Sequence, residues 1–388
     1  MSPRRTRILW LARDLGADGA AQALADRARH ADTARFEIEV AYLLPGRNPL
    51  VPALERAGLR VHHLAGAPGS PRTPGTTGAT GRTDPRWPWH LRRLLAERRY
   101  GLLHTHTPVP AAAARLLALG RNAPRLVHSE QSPWGPRRLV TSWADALTYR
   151  RNDAVIAGSR AVGRTVAAGR RAGDRVTVVL QAPDLADAGP AARAAARAGL
   201  GLPADALVIG TVSGRTPGED QATLLAAYAG LRRTGPDTRL VLIGGGPSEP
   251  RLRALAAGLG LTDVVFAGSR PDVPALLPAL DVFVLGSPQQ GPPAALLAAM
   301  TCGLPSVATR AGATPEVLDD SAQGLLVPPG DPAALGGALA GLLADAALRA
   351  RLGAAARERA AGVGAAPPQR AGEAVYRRVV RPRPGAAP

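Results

Sequence analysis

Residues 211–231 read TVSGRTPGEDQATLLAAYAGL. They close a short apolar run at 207–212, pass through the pair Gly214-Arg215, and enter a longer Ala/Leu stretch of helical period. A strand followed by a loop and a covering helix is the repeating unit of a parallel sheet. The alternation continues downstream, with strands expected at 239–243, 264–267, 282–285, 306–308 and 324–327. Upstream it is already running at 7–12, 36–44, 60–64, 102–105, 125–128, 154–157 and 176–180. The pattern predicts an α/β protein of two doubly wound domains, with a cleft between two sets of strand C-terminal ends, where such sheets bind ligands.

The 388 residues are too many for one hydrophobic core and suit two. With 46% hydrophobic but only 3% aromatic residues, those cores must be built from Ala, Leu and Val. Segment 182–190 is the expected linker between an N-terminal domain, 1–188, and a C-terminal domain, 189–365. A final helix and tail occupy 366–388, with the helix from about Arg370 and Pro367-Pro368 setting its start. The Gly/Pro/Thr/Ser stretch 66–84 lacks periodicity and is expected to be a mobile loop.

The chain contains no lysine, so all 48 basic residues are Arg against 30 acidic ones, a net charge of +18. Residues 1–188 carry +14 of this and the remainder +4, so the excess lies in the first domain. All five Trp precede residue 144. The stretch LRRLLAERR (91–99), close to Trp87 and Trp89, would form a helix with a cationic face, a combination suited to an anionic membrane surface. In an Arg-biased chain, a merely solvated helix is the plainer reading. Nucleic acid is set aside as a partner, because no binding module or aromatic–basic strand pattern is present. The single cysteine, Cys302, excludes a disulfide framework and fits a reducing compartment. The first apolar run stops at Arg13, too short for a signal peptide, and no stretch reaches the roughly 18 uncharged apolar residues of a membrane span. The expected location is cytoplasmic, on or near the inner face of the membrane.

Four stretches occur in a distinctive order and spacing: 211–231, RLVLIGGGPSEPRLRALAAGLGLTDVVFAGSRPDVPALLPALDVFVLGS (239–287), AAMTCGLPSVATRAGATPEVLDD (298–320) and GLLVPPGDPAALGGAL (324–339). Together they resemble the nucleotide-sugar-binding domain of the family 4 glycosyltransferases. LLHTHTPVPAAAARLLALG (102–120), RLVHSEQSPWGPRR (125–138) and LTYRRNDAVIAGSRAV (147–162) look like the acceptor-side domain of that family. The resemblance implies two Rossmann-like domains of GT-B type. It implies transfer of a sugar from a nucleotide diphosphate sugar to a cell-envelope, polysaccharide or lipid-linked acceptor with retention of configuration, with no obligatory metal or other cofactor.

It also assigns residues. His106 and Gln290 would stand at the transferred sugar. Gly214, Arg215, Gly291 and Glu316, of the Pro315-Glu316 pair, would hold the donor, and Gly16, Gly19 and Glu130 would line the acceptor side. The loop 16–19 lies between a strand and a helix, where glycines let backbone N–H groups approach an anion. Gly330-Asp331-Pro332 reads as a helix start and no more.

Several family positions are changed. The Lys five residues after the Gly-Arg pair is Asp220, and no Arg lies between Arg215 and Arg232 to replace it. The two Glu separated by seven intervening residues are Gln290 and Ala298, and no Glu occurs between Glu249 and Glu316. On the acceptor side, Gln131 stands where related sequences often have His, and the junction Asn-Gly is Gln181-Ala182. A charge-assisted hydrogen bond is worth roughly 1.5–3 kcal/mol, so losing Lys–phosphate and Glu–ribose contacts costs about 3–6 kcal/mol, on the order of a hundred- to ten-thousand-fold in affinity. A GT-B protein without catalysis, a scaffold or partner subunit in glycan assembly, is the alternative this raises.

Overall fold

Strands form where the apolar runs fall, and every strand pairing among the described residues is parallel. The structure, a computed structural model, describes residues 5–380 except 17–18, 45–47, 65–83, 121–122, 132–144, 171–174, 184, 186–188, 215–219, 235–236, 271, 288–292 and 364–365. The stretch expected as a mobile loop, 66–84, lies outside the described residues apart from Asp84.

The first sheet comprises β1 (Thr6–Ala12), β2 (Phe36–Tyr42), β3 (Arg60–His63), β4 (Leu102–Thr105), β5 (Arg125–Glu130), β6 (Ala154–Ala157) and β7 (Val176–Val178), in the order β3-β2-β1-β4-β5-β6-β7. The second comprises β8 (Leu207–Val212), β9 (Thr238–Ile243), β10 (Val264–Gly268), β11 (Val282–Leu285), β12 (Ser306–Thr309) and β13 (Gly324–Val327), in the order β10-β9-β8-β11-β12-β13. The α/β class of two doubly wound sheets expected from the sequence is what forms.

The longer helices of the first half are α1 (Gly19–Arg29), α2 (Val51–Arg56), α3 (Trp87–Arg98), α4 (Pro108–Leu117) and α5 (Arg160–Arg170). Those that follow are α6 (Pro190–Gly199), α7 (Gln221–Thr234), α8 (Glu249–Gly258), α9 (Ala294–Thr301), α10 (Pro332–Ala344), α11 (Ala346–Ala361) and α12 (Ala366–Val380). Prolines that would break helix interiors sit instead in first turns, as in α2, α3, α4, α6, α8 and α10, where no intrahelical N–H is required. Asp331 behaves as the helix start that was read from sequence, its carboxylate accepting from Ala333 N at 3.0 Å and Ala334 N at 2.9 Å.

The chain divides into two units, Met1–Leu180 with Ala365–Pro388, and Gln181–Gly364. The division thus falls before Gln181 rather than after residue 188. One reason is a long-range hydrogen bond: Ala182 N donates to Val363 O at 2.7 Å, tying the start of the second unit to its end. The last helix is not a separate appendage. It starts at Ala366, earlier than Arg370, with Pro367 and Pro368 inside its first turn, and it places Val375 and Tyr376 in the core of the first unit. That core joins Ile8, Trp10, Phe36, Val40 and Leu102. The second core gathers Leu240, Leu242, Val284, Leu335 and Leu339 around β8, β9 and β11.

Some of the arginine excess is internal. Arg115 is buried, ion-paired with Asp145, donates from Nε to Asn152 Oδ1 at 3.0 Å and lies 4.9 Å over the Tyr149 ring. Arg197 is likewise buried, donating to Asp281 Oδ2 at 2.8 Å and to three backbone carbonyls. A planar guanidinium can satisfy several acceptors at once, which is how a lysine-free chain uses this residue inside.

Candidate active site

In the first sheet the order of strands reverses between β1 and β4, and polar side chains collect there at the strand C-terminal ends. Such a switch point opens a crevice in doubly wound sheets. Pairing sets Trp10 beside His104 and Thr105 beside His128. Buried His104 meets the Tyr376 hydroxyl at 2.6 Å through Nδ1 and Ser129 Oγ at 2.8 Å through Nε2. The Trp10 indole N–H donates to the same Tyr376 oxygen at 3.1 Å.

His106 follows one residue beyond the strand, where its backbone N–H donates to Leu11 O at 2.9 Å. Its ring centroid is 4.1 Å from that of His104 and 5.8 Å, edge-on, from that of Trp10. The residue as a whole is half-buried, but its Nε2 is shielded from solvent and has no hydrogen-bond partner among the described residues. Burial, then the charges of His106, Arg27 and His128, push His104 well below the usual imidazole range. Burial, then Arg27 and His128, do the same to His106. Both rings are therefore neutral at physiological pH, suited to accepting or donating one hydrogen bond rather than carrying charge.

Glu130 ends β5 and is buried, with Oε2 3.6 Å from His128 Nε2. Gly16 follows β1, its N–H 3.3 Å from Asp14 Oδ1, and Gly19 opens α1, while residues 17–18 lie outside the described residues. The structure thus brings Gly16, His106 and Glu130 to one edge of the first sheet.

The second unit has its own switch point, between β8 and β11. Gly214 lies two residues beyond the end of β8, after Ser213, while Arg215 lies outside the described residues. Gly244, after β9, has φ of +125°, and a Cβ there would come 1.8 Å from Ser213 O, so only glycine lets the two loops meet. Asp220 directly precedes α7. Its Oδ2 accepts from the Thr223 hydroxyl at 2.7 Å and Oδ1 faces Thr223 N at 3.4 Å. Glu316 sits in a short turn of helix after β12, its backbone carbonyl accepting from Arg359 at 3.2 Å. Gln290 and Gly291 lie outside the described residues. Ala298, in the middle of α9, offers a methyl where the family has a carboxylate. No three His, Cys, Asp or Glu side chains among the described residues converge as a metal site would need.

Trp10, Ser129 and Tyr376 were not among the residues singled out from sequence. Ser129 lies within the HSEQ run, but nothing in the chain marks Tyr376, which is 272 positions from its partner His104.

Two doubly wound units, each with polar or glycine-rich loops at its strand C-terminal ends, define a GT-B protein. Residues 17–203 match the family described as Glycosyltransferase Family 4, and residues 205–345 match Glycosyl transferases group 1. A D-inositol 3-phosphate glycosyltransferase of Kineococcus radiotolerans is 33% identical over 366 residues, 86% of this chain and 84% of that protein. Another enzyme of that name, from Saccharomonospora viridis, is 39% identical over 199 residues, 48% of this chain and 46% of the relative. Among solved structures, HepE of Anabaena in complex with UDP and glucose superposes with a TM-score of 0.79 at 21% identity, covering 96% of this chain and 100% of that one. The chain belongs to the family 4 glycosyltransferases, enzymes of GT-B fold.

Proposed function

We propose that the protein transfers a hexosyl group from a nucleotide diphosphate sugar to a hydroxyl acceptor with retention of configuration, without a metal. The observation that carries this reading is His106, a neutral imidazole at the switch point of the first sheet with an unpaired, shielded Nε2. A polar atom in that state is costly until a partner arrives, and a sugar hydroxyl is a partner of the right kind. Backbone N–H groups around Gly214 and the Gly244 loop supply donors for the diphosphate, with Arg215 as its cation. Gln290 and Gly291 face the donor sugar, Glu316 completes the donor side, and Gly16, Gly19 and Glu130 line the acceptor side.

The names of the relatives make an inositol phosphate the first acceptor to test, with lipid-linked and polysaccharide acceptors next. A phosphorylated acceptor also suits the basic first unit and a cytoplasmic placement at the inner membrane face. The decisive assay incubates the protein with UDP-, GDP- and ADP-sugars and inositol phosphate, and determines the anomeric configuration of the product by NMR. Absence of transfer and of donor hydrolysis at millimolar donor overturns the proposal.

A second reading is favoured by Asp220, whose carboxylate engages Thr223 where the family has a phosphate-binding cation. On that reading the protein binds donor weakly and serves as a scaffold or partner subunit in glycan assembly. Stabilisation against heat by micromolar nucleotide sugar counts against it.

A further inference from the structure

We infer that the hydroxyl of Tyr376, carried by the C-terminal helix α12, is a positioning group for His106: it ties together the two side chains between which the His106 ring lies, and fixes one tautomer of His104. The inference rests on the role proposed for His106 above.

Three geometric facts support it. The His106 ring is flanked by Trp10 and His104, at 5.8 and 4.1 Å between centroids. Both flanking side chains end on one atom, the Tyr376 oxygen, at 3.1 and 2.6 Å. Tyr376 is itself held, since its ring packs edge-on against Phe36 at 5.9 Å and against His104 at 5.5 Å. One turn earlier on α12, Glu373 accepts from Asp32 N at 2.9 Å and from Gln369 at 2.7 Å, and Gln369 accepts from Arg27 at 3.0 Å. The hydroxyl therefore stands on a helix that is hydrogen-bonded to α1 and to the turn after it.

The direction of each hydrogen bond follows from what the atoms can do. An indole N–H only donates, so Trp10 occupies Tyr376 as an acceptor. The Tyr376 proton then needs an acceptor in a buried site, and among the described residues His104 Nδ1 is the one in reach. His104 must accordingly be protonated at Nε2, which donates to Ser129 Oγ at 2.8 Å. A protonated Nδ1 would leave the tyrosine hydrogen without a partner. Burial and the guanidinium of Arg27, the permanent charge facing the pair, both oppose an imidazolium at His104. Thus α12, far along the chain, sets which nitrogen of His104 carries hydrogen and how closely the wall beside His106 is held.

The test uses the full chain labelled with 15N-histidine, in which only seven histidines contribute signals. Long-range 1H–15N spectra are recorded from pH 5.5 to 8, with His104 assigned by its loss in His104→Gln. The expected result is a single His104 tautomer, protonated at Nε2, unchanged over that range. Tyr376→Phe, which keeps the ring, is expected to populate both His104 tautomers, to shift the His106 signal, and to lower kcat about tenfold with nucleotide KM within twofold of wild type. Ser129→Ala is expected to keep the Nε2–H tautomer, because Tyr376 still donates. A wild-type His104 protonated at Nδ1 overturns the inference, as does a Tyr376→Phe spectrum in which His104 and His106 match wild type. Should Tyr376→Phe fail to fold, the wild-type tautomer and the Ser129→Ala spectrum decide. Loss of all transfer activity in the wild type overturns the proposed function, while the histidine spectrum separately decides the role of Tyr376.

Discussion

Asp220 accepts a hydrogen bond from the hydroxyl of Thr223 at 2.7 Å, with its other oxygen 3.4 Å from the Thr223 amide. It is thus the side chain that closes the open end of α7, where a carboxylate is stabilised by free N–H groups and by the helix dipole. Replacing it by Ala removes the cap and is expected to cost about 1 kcal/mol. Replacing it by Lys loses the cap equally but restores a cation, and affinity for UDP or GDP is expected to rise about 10- to 100-fold, the range of one charge-assisted hydrogen bond. Calorimetric titration of both variants checks this. Equal affinity in Asp220→Lys and wild type would mean the position does not face the diphosphate.

The contact between Gly244 and Ser213 gives a second prediction. At φ of +125° with Ser213 O 1.8 Å from a would-be Cβ, Gly244→Ala forces the loops after β8 and β9 apart. Loss of nucleotide binding is expected, with destabilisation of about 3 kcal/mol or more. Gly337→Ala is the control, since that glycine is exposed in the middle of α10 with open space at its Cβ position. It should stabilise by about 0.5–1 kcal/mol. Urea unfolding of the two variants reads both signs.

Acid sensitivity should come in two windows. His104 and His106 are held below the unfolded imidazole value of 6.5, so below that pH the unfolded chain binds protons that the folded chain refuses. Stability is therefore complete above about pH 6.5 and declines as pH falls, by up to about 1.4 kcal/mol per pH unit for each histidine. Glu39 acts lower. Burial works to raise its pKa, but hydrogen bonds from His62, Tyr100 and Arg98 outweigh burial and bring it from 4.5 to about 2. Its contribution is intact above 4.5 and is lost only between there and about 2. Urea midpoints at pH 7.5, 6 and 5 should fall steadily, and His104→Gln should flatten the slope. A midpoint constant from pH 7.5 to 5 would show that these histidines charge freely in the folded protein.

What could be read from sequence was what local physics decides. Apolar runs such as Leu207–Val212 and Ala154–Ala157 became strands because their residues have no polar alternative, and the ends moved by only a residue or two. Asp331 was legible because a cap is made with residues two and three positions on. Asp220 carries a local signal of its own, an acid followed three residues later by Thr, at the position where the resemblance expects a cation. The Tyr376–His104 pair had no such signal. It depends on α12 packing back onto the first unit, and composition marks a change of domain but not a return. The boundary at Gln181 was missed for a related reason: the bond from Ala182 to Val363 spans the whole second unit.

The remaining prediction concerns the basic half of the chain. Burial of Arg115 and Arg27 removes them from any surface role, which leaves the outward residues of α3 as the test of the charge excess. Trp89 is 57% exposed on that helix, Arg93 lies 5.9 Å from its ring centroid, and Arg92 is exposed beside them. Leu116 and Leu119, at the end of the neighbouring α4 and just beyond it, are exposed as well. Arg93 also pairs with Glu97 at 2.6 Å, so part of its charge is already answered. An exposed indole and leucines flanked by guanidinium groups suit the interface of an anionic bilayer, where each basic residue contributes about 1 kcal/mol. The protein should therefore co-sediment with vesicles containing phosphatidylglycerol at low salt, and much less with pure phosphatidylcholine. Trp89→Ser combined with Arg92→Gln should weaken that binding about tenfold or more, as should raising the salt to 0.5 M. Equal binding to both vesicle types at low salt would make the +14 a property of composition alone.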